Sequence, residues 1–255
     1  MISIRSAEEI EKLRASNIIV SKALAEIGKQ IKPGVTTAYL DKVAEEFIRD
    51  YNAKPGFLGY QGFPNSICAS VNEQVVHGIP SERELIEGDI LAVDIGVLLE
   101  GYYGDSAYTF AVGEISEDKK QLLKITRESL FKGIEAAIVG NRTGDIGYAV
   151  QTYCEEAGYS VVRELVGHGL GTNMHEAPEV PNYGKRGKGA KLEEGMVICI
   201  EPMINMGRKF IVQENDGWTI RTKDRQPSAH FELAVAIKKE KADVLSTFKF
   251  IEEEN

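Results

Sequence analysis

The chain has 255 residues, of which 43% are hydrophobic and 27% charged, which is ordinary for a globular protein. A formal net charge of −9 and the lack of a basic arm argue against nucleic acid as the primary ligand. The sequence has no signal-peptide core and no run of 18 apolar residues, so we expect neither a secretory leader nor a membrane span. Three cysteines far apart in sequence, Cys68, Cys154 and Cys199, predict reduced thiols in a cytoplasmic protein.

Helices open the chain and strands follow them. Ser6, with Glu9 three residues later, forms a capping-box signature that predicts a helix over about 7–30. Thr36 or Thr37 caps a second helix that ends near residue 52. The remaining elements are a Gly-, Pro- and aromatic-rich loop over 54–66, strands near 67–72, 89–99 and 102–112, helices over 117–138 and 143–157, a mostly β region over 160–248, and a solvated tail from residue 249.

Two segments in the second half of the sequence resemble segments in the first half. The segment LIEGDILAVD (85–94) resembles LEEGMVICIE (192–201), which lies 107 residues later. At the same spacing, Gly34-Val35-Thr36 aligns with Asn141-Arg142-Thr143 ahead of the second and fourth helices. Two matches at one spacing indicate an internal duplication, and the alternative is a chance likeness of short apolar strings.

The duplication predicts two pseudo-symmetric halves, about 1–110 and 111–250, within a single domain over 1–255. Asp94 and Glu201 close the two matching strands. They would then be equivalent carboxylates that face each other across a central site shared by the two halves.

Two acids interrupt a predicted hairpin of apolar strands. With Glu100-Gly101 as a two-residue turn, Asp94 lies opposite Ala107 and Asp105 lies opposite Gly96. Both carboxylates then point to the same face of the hairpin. Buried like charges repel each other and require a compensating cation, and oxygen-rich ligand sets suit divalent metals.

Two more acids stand in apolar strands that contain no arginine: Glu201 in VICIEPMI and Glu232 in HFELAVAI. The chain has four histidines, His77, His168, His175 and His230, and three of them lie beside glycines or in predicted loops. Four carboxylates and a histidine suffice for two metal ions bridged by carboxylates and a water, the arrangement of some aminopeptidases. An unligated histidine nearby could then donate to an oxyanion or to a leaving nitrogen.

The order of these residues resembles the type I methionine aminopeptidases of the pita-bread fold. Asp94 and Asp105 are followed by His168 in GHG, Glu201 in EPM and Glu232 in SAHFE. The segments SVNEQVVHGIP, GDSAYTF and GHGLGTNMHEAP resemble the same family. The likeness runs from the first helix to about residue 240.

The resemblance implies an internally duplicated α/β (α+β) fold, with a curved antiparallel sheet and helices on its outer face. It implies two divalent ions, with cobalt, manganese, iron, zinc and nickel left open, held by Asp94, Asp105, His168, Glu201 and Glu232. Glu201 would also be the general base. His77 and His175 match the family's unligated histidines, one near the substrate amine and leaving nitrogen and the other near the scissile carbonyl. The family's substrate-binding residues map onto Phe57, Tyr60, Phe63, Cys68, His77, Met174, His175 and Trp218, and the soft or aromatic members of this set suit a thioether.

The implied activity is removal of the initiator methionine from nascent chains whose second residue is small. The resemblance also implies a monomer, transient ribosome association, and neither nucleic-acid recognition nor membrane attachment. Glu201 follows His175 by only 26 positions, too few for the helical insertion of type II enzymes. The lack of a zinc-binding N-terminal extension suggests the bacterial type. The sequence departs from the family pattern at Phe57, Phe63, Tyr103, Met174 and Leu233.

Three rival interpretations remain open at this stage. An X-Pro peptidase of the same fold shares the five ligands but normally carries an additional N-terminal domain. A non-enzymatic binding protein of this fold would have lost ligands. A domain with buried ion pairs would place an arginine or lysine beside each acid.

Overall fold

The computed structural model describes residues 2–252, in which helices pack on antiparallel strands. Its helices are α1 (Ala7–Gln30), α2 (Thr37–Asp50), α3 (Glu117–Ala136), α4 (Thr143–Glu156) and α5 (Lys249–Glu252), with a 3-10 turn at Tyr60–Gly62. Its strands are β1 (Lys54–Pro55), β2 (Ile67–Val71), β3 (Gln74–Val76), β4 (Ile90–Leu99), β5 (Tyr102–Ala111), β6 (Ser160–Val161), β7 (Gly167–Gly169), β8 (Glu176–Val180), β9 (Val197–Ile200), β10 (Met203–Asn205), β11 (Ile211–Gln213), β12 (Ile220–Thr222), β13 (Ser228–His230), β14 (Glu232–Ala236) and β15 (Asp243–Val244). Across the described part of the chain, no helix combines the length and apolar character that crossing a bilayer requires.

One large sheet joins the two halves of the chain. Its strand order is β1-β4-β5-β14-β9-β7-β8, with β2 paired to β4 and β15 paired to β14. Within this sheet the halves meet at the β5–β14 pair, in which Ala107 lies opposite Glu232. Two small sheets, β13-β10-β6 and β11-β12-β3, flank it. A side chain on β14 can therefore meet side chains from both halves.

The first helix and the hairpin form where the sequence places them. The Ser6 hydroxyl accepts from Glu9 N at 3.2 Å, and the Glu9 carboxylate accepts from Ser6 N at 2.9 Å, which completes the capping box. In the β4–β5 hairpin, Glu100 and Gly101 have φ values of 49° and 84°, as a type I′ turn requires. Asp94 pairs with Ala107 and Gly96 with Asp105, which confirms the predicted register.

Alternation along β4 separates the core from the site. Val93, Ile95 and Val97 belong to the main hydrophobic core, together with Val20 and Leu24 of α1. The residue between the first two, Asp94, faces the other way, into a cavity. The helix-covered face thus stabilises the sheet while the opposite face carries the acids.

Two predictions for irregular segments are corrected. The loop over 54–66 contains β1 and a 3-10 turn, because Lys54 and Pro55 pair with Leu98 and Val97 of β4. The tail from residue 249 does not begin as a solvated end, because α5 buries Ile251 at 3% exposure. The part of that prediction that falls on residues 253–255 lies outside the described residues.

Matching hydrogen bonds occur in the two halves, before β4 and before β9. They join Gly34 N to Leu85 O at 2.8 Å and Leu85 N to Val35 O at 2.8 Å, and likewise Gly140 N to Leu192 O at 3.2 Å and Leu192 N to Asn141 O at 2.8 Å. Gly34 therefore corresponds to Gly140, one residue away from the sequence alignment, because the second half holds one more residue between helix and strand. These bonds support the internal duplication, which stays a prediction.

Candidate metal centre and active site

The pairing of the strands places the acids on one face of the large sheet. Asp94 and Glu232 both lie opposite Ala107, one on each side of β5. Asp105 is two residues from Ala107 on the same strand, so its side chain shares that face. Leu233 pairs with Ile200, which places Glu232 across from Glu201 at the end of β9. All four carboxylates line one cavity of about 160 Å³.

His168 reaches the same cavity from β7. Its Nε2 lies 3.6 Å from Asp105 Oδ2 and 3.7 Å from Glu201 Oε1. Its Nδ1 donates to the carbonyl of Gly169 at 2.9 Å, and this hydrogen bond leaves Nε2 without a proton toward the acids. An imidazole held in this way is arranged as a metal ligand.

The chemistry of this donor set fits divalent cations. Asp94 Oδ1, Asp105 Oδ1 and Glu232 Oε1 are buried and have no hydrogen-bond partner among the described residues 2–252. Asp105 is 3% exposed and Glu232 is 2% exposed, so water does not solvate them. Within residues 2–252, the ion pairs that these acids make are with histidine rather than with lysine or arginine. The observation contradicts the rival interpretation in which each acid is neutralised by a basic side chain.

Burial makes negative charge unfavourable throughout this cluster. It raises the pKa of Glu201 to about 8 and that of Asp94 to about 7, with the charge of Glu201 adding to the shift at Asp94. Burial followed by repulsion from neighbouring carboxylates raises the pKa of Asp105 and Glu232 well above the ordinary range. Without cations the cluster therefore retains protons, and cations would compensate its charge instead.

Two further histidines face the cavity as neutral groups. Burial lowers the pKa of His77 to about 4 and also lowers the pKa of His175. The Tyr60 hydroxyl lies 2.8 Å from His175 Nδ1, and when it donates there the His175 proton is on Nε2. The rings of His175 and His168 lie 4.3 Å apart, so His175 is next to the carboxylate cluster.

The cavity wall is largely apolar. Its lining includes five of the predicted pocket side chains, Phe57, Tyr60, Phe63, Cys68 and Trp218. Phe63 and Trp218 meet edge to face at 5.2 Å. Met174 is 1% exposed and packs in the same apolar cluster behind the lining, where Gly96 leaves room for its methyl group. Met174 thus supports the wall instead of forming it.

Sequence reasoning assigned no role to three residues at the site: Gln61, Cys199 and His230. Gln61 lines the cavity from the 3-10 turn. His230 Nε2 is buried without a hydrogen-bond partner, 3.6 Å from Glu201 Oε2. Thr109 Oγ1 accepts from His230 N at 3.0 Å and donates to His230 O at 2.7 Å, which fixes this backbone. Strand alternation could have found His230, because it stands two residues before Glu232.

Comparison with known proteins gives one family. The model of metallopeptidase family M24 matches residues 11–239. A methionine aminopeptidase from Clostridium acetobutylicum is 54% identical over 238 residues, which cover 93% of this chain and 95% of that protein.

Solved structures agree with this match. The crystal structure of methionine aminopeptidase from Rickettsia prowazekii superposes with a TM-score of 0.95 at 41% identity, covering 97% of this chain and 100% of that one. Prolidase from Pyrococcus furiosus matches with a TM-score of 0.77 at 24% identity, covering 96% of this chain but 65% of that one. The second likeness concerns the fold alone.

Proposed function

Because this chain belongs to metallopeptidase family M24, we propose that it removes the N-terminal methionine from polypeptides with a small second residue. Its fold is the pita-bread fold of the family's methionine aminopeptidases. The observation that carries the proposal is the convergence of Asp94, Asp105, His168, Glu201 and Glu232 on one cavity, with buried carboxylate oxygens that lack partners.

These five side chains would hold two divalent ions. When bound, the ions would polarise the scissile carbonyl and lower the pKa of the attacking water. The ligand set suits cobalt, manganese, iron, zinc or nickel, since oxygen and imidazole ligands accept all of them.

The chain's own residues then handle protons and position the substrate. Glu201 accepts a proton from the attacking water, because its carboxylate lines the cavity in which the water would be held. His175 donates from Nε2 to the oxygen of the scissile carbonyl, which becomes negative as water attacks. His77 donates a hydrogen bond to the leaving nitrogen, which takes up the proton that Glu201 accepted from the water. Both roles suit neutral imidazoles that carry one proton.

The apolar wall provides the specificity. Phe57, Phe63 and Trp218, together with Tyr60 and Cys68, form a soft and aromatic surface suited to a flexible thioether. A cramped second subsite would limit the following residue to small side chains.

The proposal includes a cytoplasmic location, which three free buried cysteines support. It also includes monomeric action on nascent chains with transient ribosome association.

The test is release of free methionine from the peptide Met-Ala-Ser. Protein stripped with a chelator should be inactive, and adding back single divalent metals should restore release. Asp105→Asn should abolish it, because the variant loses a charged ligand while keeping the size of the side chain. Cleavage of X-Pro peptides without release of methionine would support a prolidase instead. If folded protein releases no methionine with any of the added metals, the proposal is overturned.

A further inference from the structure

Cys199 adds a sulfur atom to a centre otherwise built from oxygen and nitrogen. Its Sγ and one ligand atom each from Asp105, His168 and Glu232 all lie within 4.8 Å of one another. Each of these four side chains is buried. Four donors of this kind supply the ligand number and ligand types of a tetrahedrally coordinated cation, whose bonds to its ligands are about 2.0–2.3 Å long.

The position of Cys199 follows from the sheet. Cys199 pairs with Ala234 of β14, two residues beyond Glu232, so its thiol shares the face of the acids. The thiol lies beside the Glu232 carboxylate, close enough for each group to shift the pKa of the other. Two oxygens beside it, Asp105 Oδ1 and Glu232 Oε1, remain buried without partners. These oxygens, which also support the pair of ions proposed above, require a compensating cation or proton beside the thiol.

We propose that Asp105, His168, Cys199 and Glu232 form a second, thiolate-containing binding mode for thiophilic divalent cations such as Cd²⁺ and Zn²⁺. Thiolate selects such ions, whereas carboxylates alone suit harder ones such as Mn²⁺. On binding, a sulfur–metal bond replaces the S–H bond and the proton passes to solvent. This inference does not depend on which peptide the protein cleaves.

The second mode competes with the pair of ions proposed above. It shares Asp105, His168 and Glu232 with that pair but omits Asp94 and Glu201. A cation held through Cys199 therefore occupies the centre with a different ligand set, and the two modes exclude each other.

Cadmium absorption tests the sulfur ligand directly. Chelator-stripped full-length protein is titrated with Cd²⁺ while the thiolate-to-cadmium charge-transfer band is followed in the ultraviolet. The band should grow to one equivalent in the wild type and be absent in Cys199→Ser, which removes the sulfur and keeps a side chain of similar size. Cys68→Ser is the matched control, because Cys68 lines the same cavity, and it should retain the band.

Affinity gives a second readout. Cys199→Ser should bind Cd²⁺ at least about tenfold more weakly, while its affinity for Mn²⁺ changes by less than about threefold. Cadmium NMR of the wild type distinguishes a sulfur-ligated ion from an ion bound only by oxygen and nitrogen, and it needs no variant to fold. Bound Cd²⁺ without the band, a band that persists in Cys199→Ser, or a band lost only in Cys68→Ser would each overturn the inference.

Discussion

Four carboxylates share one buried cavity, and at the scale of single residues this is the costliest feature of the chain. Asp94 lacks a hydrogen bond at Oδ1, Asp105 at Oδ1 and Glu232 at Oε1. Unsatisfied buried acids of this kind destabilise a fold unless a cation or a proton compensates their charge. Burial raises the pKa of each acid. In the metal-free protein, bound protons therefore compensate the charge of the cluster.

These shifts predict how the stability of the metal-free protein changes with pH. The folded state keeps the Glu201 proton up to about pH 8, whereas the unfolded chain releases it near the ordinary pKa of 4.5. The free energy of unfolding should therefore fall as pH rises toward about 8. The carboxylate effect is best measured above about pH 6.5. Below that pH the histidines with lowered pKa titrate, and they make the free energy of unfolding rise with pH instead of fall.

Urea unfolding in chelator at about pH 6.5 and about pH 8 measures this fall. A Glu201→Gln/Asp94→Asn double variant should make the dependence shallower, because two of the four acids with raised pKa are replaced by amides that do not titrate, while Asp105 and Glu232 remain. A wild-type stability that stays level or rises across the window would contradict the prediction.

His230 supports a second prediction at this scale. Its Nε2 lies 3.6 Å from Glu201 Oε2, just beyond hydrogen-bond distance, and burial lowers the pKa of its ring. Hydrogen bonds of catalytic groups that are long in an empty site shorten when the site is loaded, so a neutral His230 would then donate to Glu201 and hold the carboxylate in place. Replacing it with leucine should lower kcat at least about tenfold with little change in KM, since a hydrogen bond to a charged group contributes about 1.5–3 kcal/mol.

The matched variant is His230→Gln, which keeps a donor and should retain kcat within about threefold of the wild type. The kcat and KM of both variants are measured at saturating metal, after circular dichroism has shown that they fold. Equal losses in the two variants would mean that His230 contributes packing only.

At the scale of elements, the β4–β5 turn decides where the two aspartates point. Glu100 has a φ of 49°, a conformation that costs most residues about 1–2 kcal/mol but suits asparagine and glycine. The turn keeps Asp94 and Asp105 on one face, because a shift of one residue would move one strand's side chains to the other face.

The turn gives a prediction for stability. Glu100→Asn should raise the free energy of unfolding by roughly 0.5–1 kcal/mol, and Gly101→Ala should lower it by about 1 kcal/mol. Nothing lies within 4 Å of a Cβ built at Gly101, so the loss would come from the backbone φ of 84° and not from a clash. Urea unfolding of the metal-loaded protein measures both changes, and an unchanged stability in Gly101→Ala would refute the assigned turn.

At the scale of the whole molecule, the large sheet couples folding to the centre. Asp94 and Asp105 come from the first half, Glu201 and Glu232 come from the second, and the β5–β14 pair joins the halves. Cations held by all four acids, as proposed, would bind only the folded chain and would stabilise it by mass action.

Metal should therefore raise the melting temperature of the whole molecule in one transition. At a free concentration of about 100 times Kd, the gain in unfolding free energy is about 2.7 kcal/mol per ion. Differential scanning calorimetry with and without Mn²⁺ measures this gain. Asp105→Asn should lose most of it, whereas Glu100→Asn, which lies outside the centre, should keep it.

The sequence by itself determined the elements whose causes are local. The capping box at Ser6 starts α1, and the turn at Glu100-Gly101 fixes the β4–β5 register, because each depends on residues a few positions apart. The four carboxylates were also recognisable from the sequence as candidate site residues. A charged acid inside an apolar strand without arginine destabilises the fold wherever that strand lies.

Only the tertiary structure decided which distant side chains meet those acids. The β9–β14 pair brings Cys199 to the centre, and the β10–β13 pair with the hydrogen bonds to Thr109 of β5 places His230 there. No local pattern encodes these long-range contacts. Packing also placed Met174 behind the cavity wall and buried Ile251, which local polarity assigned to a solvated tail. Strand pairing over long separations depends on the burial of the whole sheet, so the complete ligand surroundings appear only once the chain is folded.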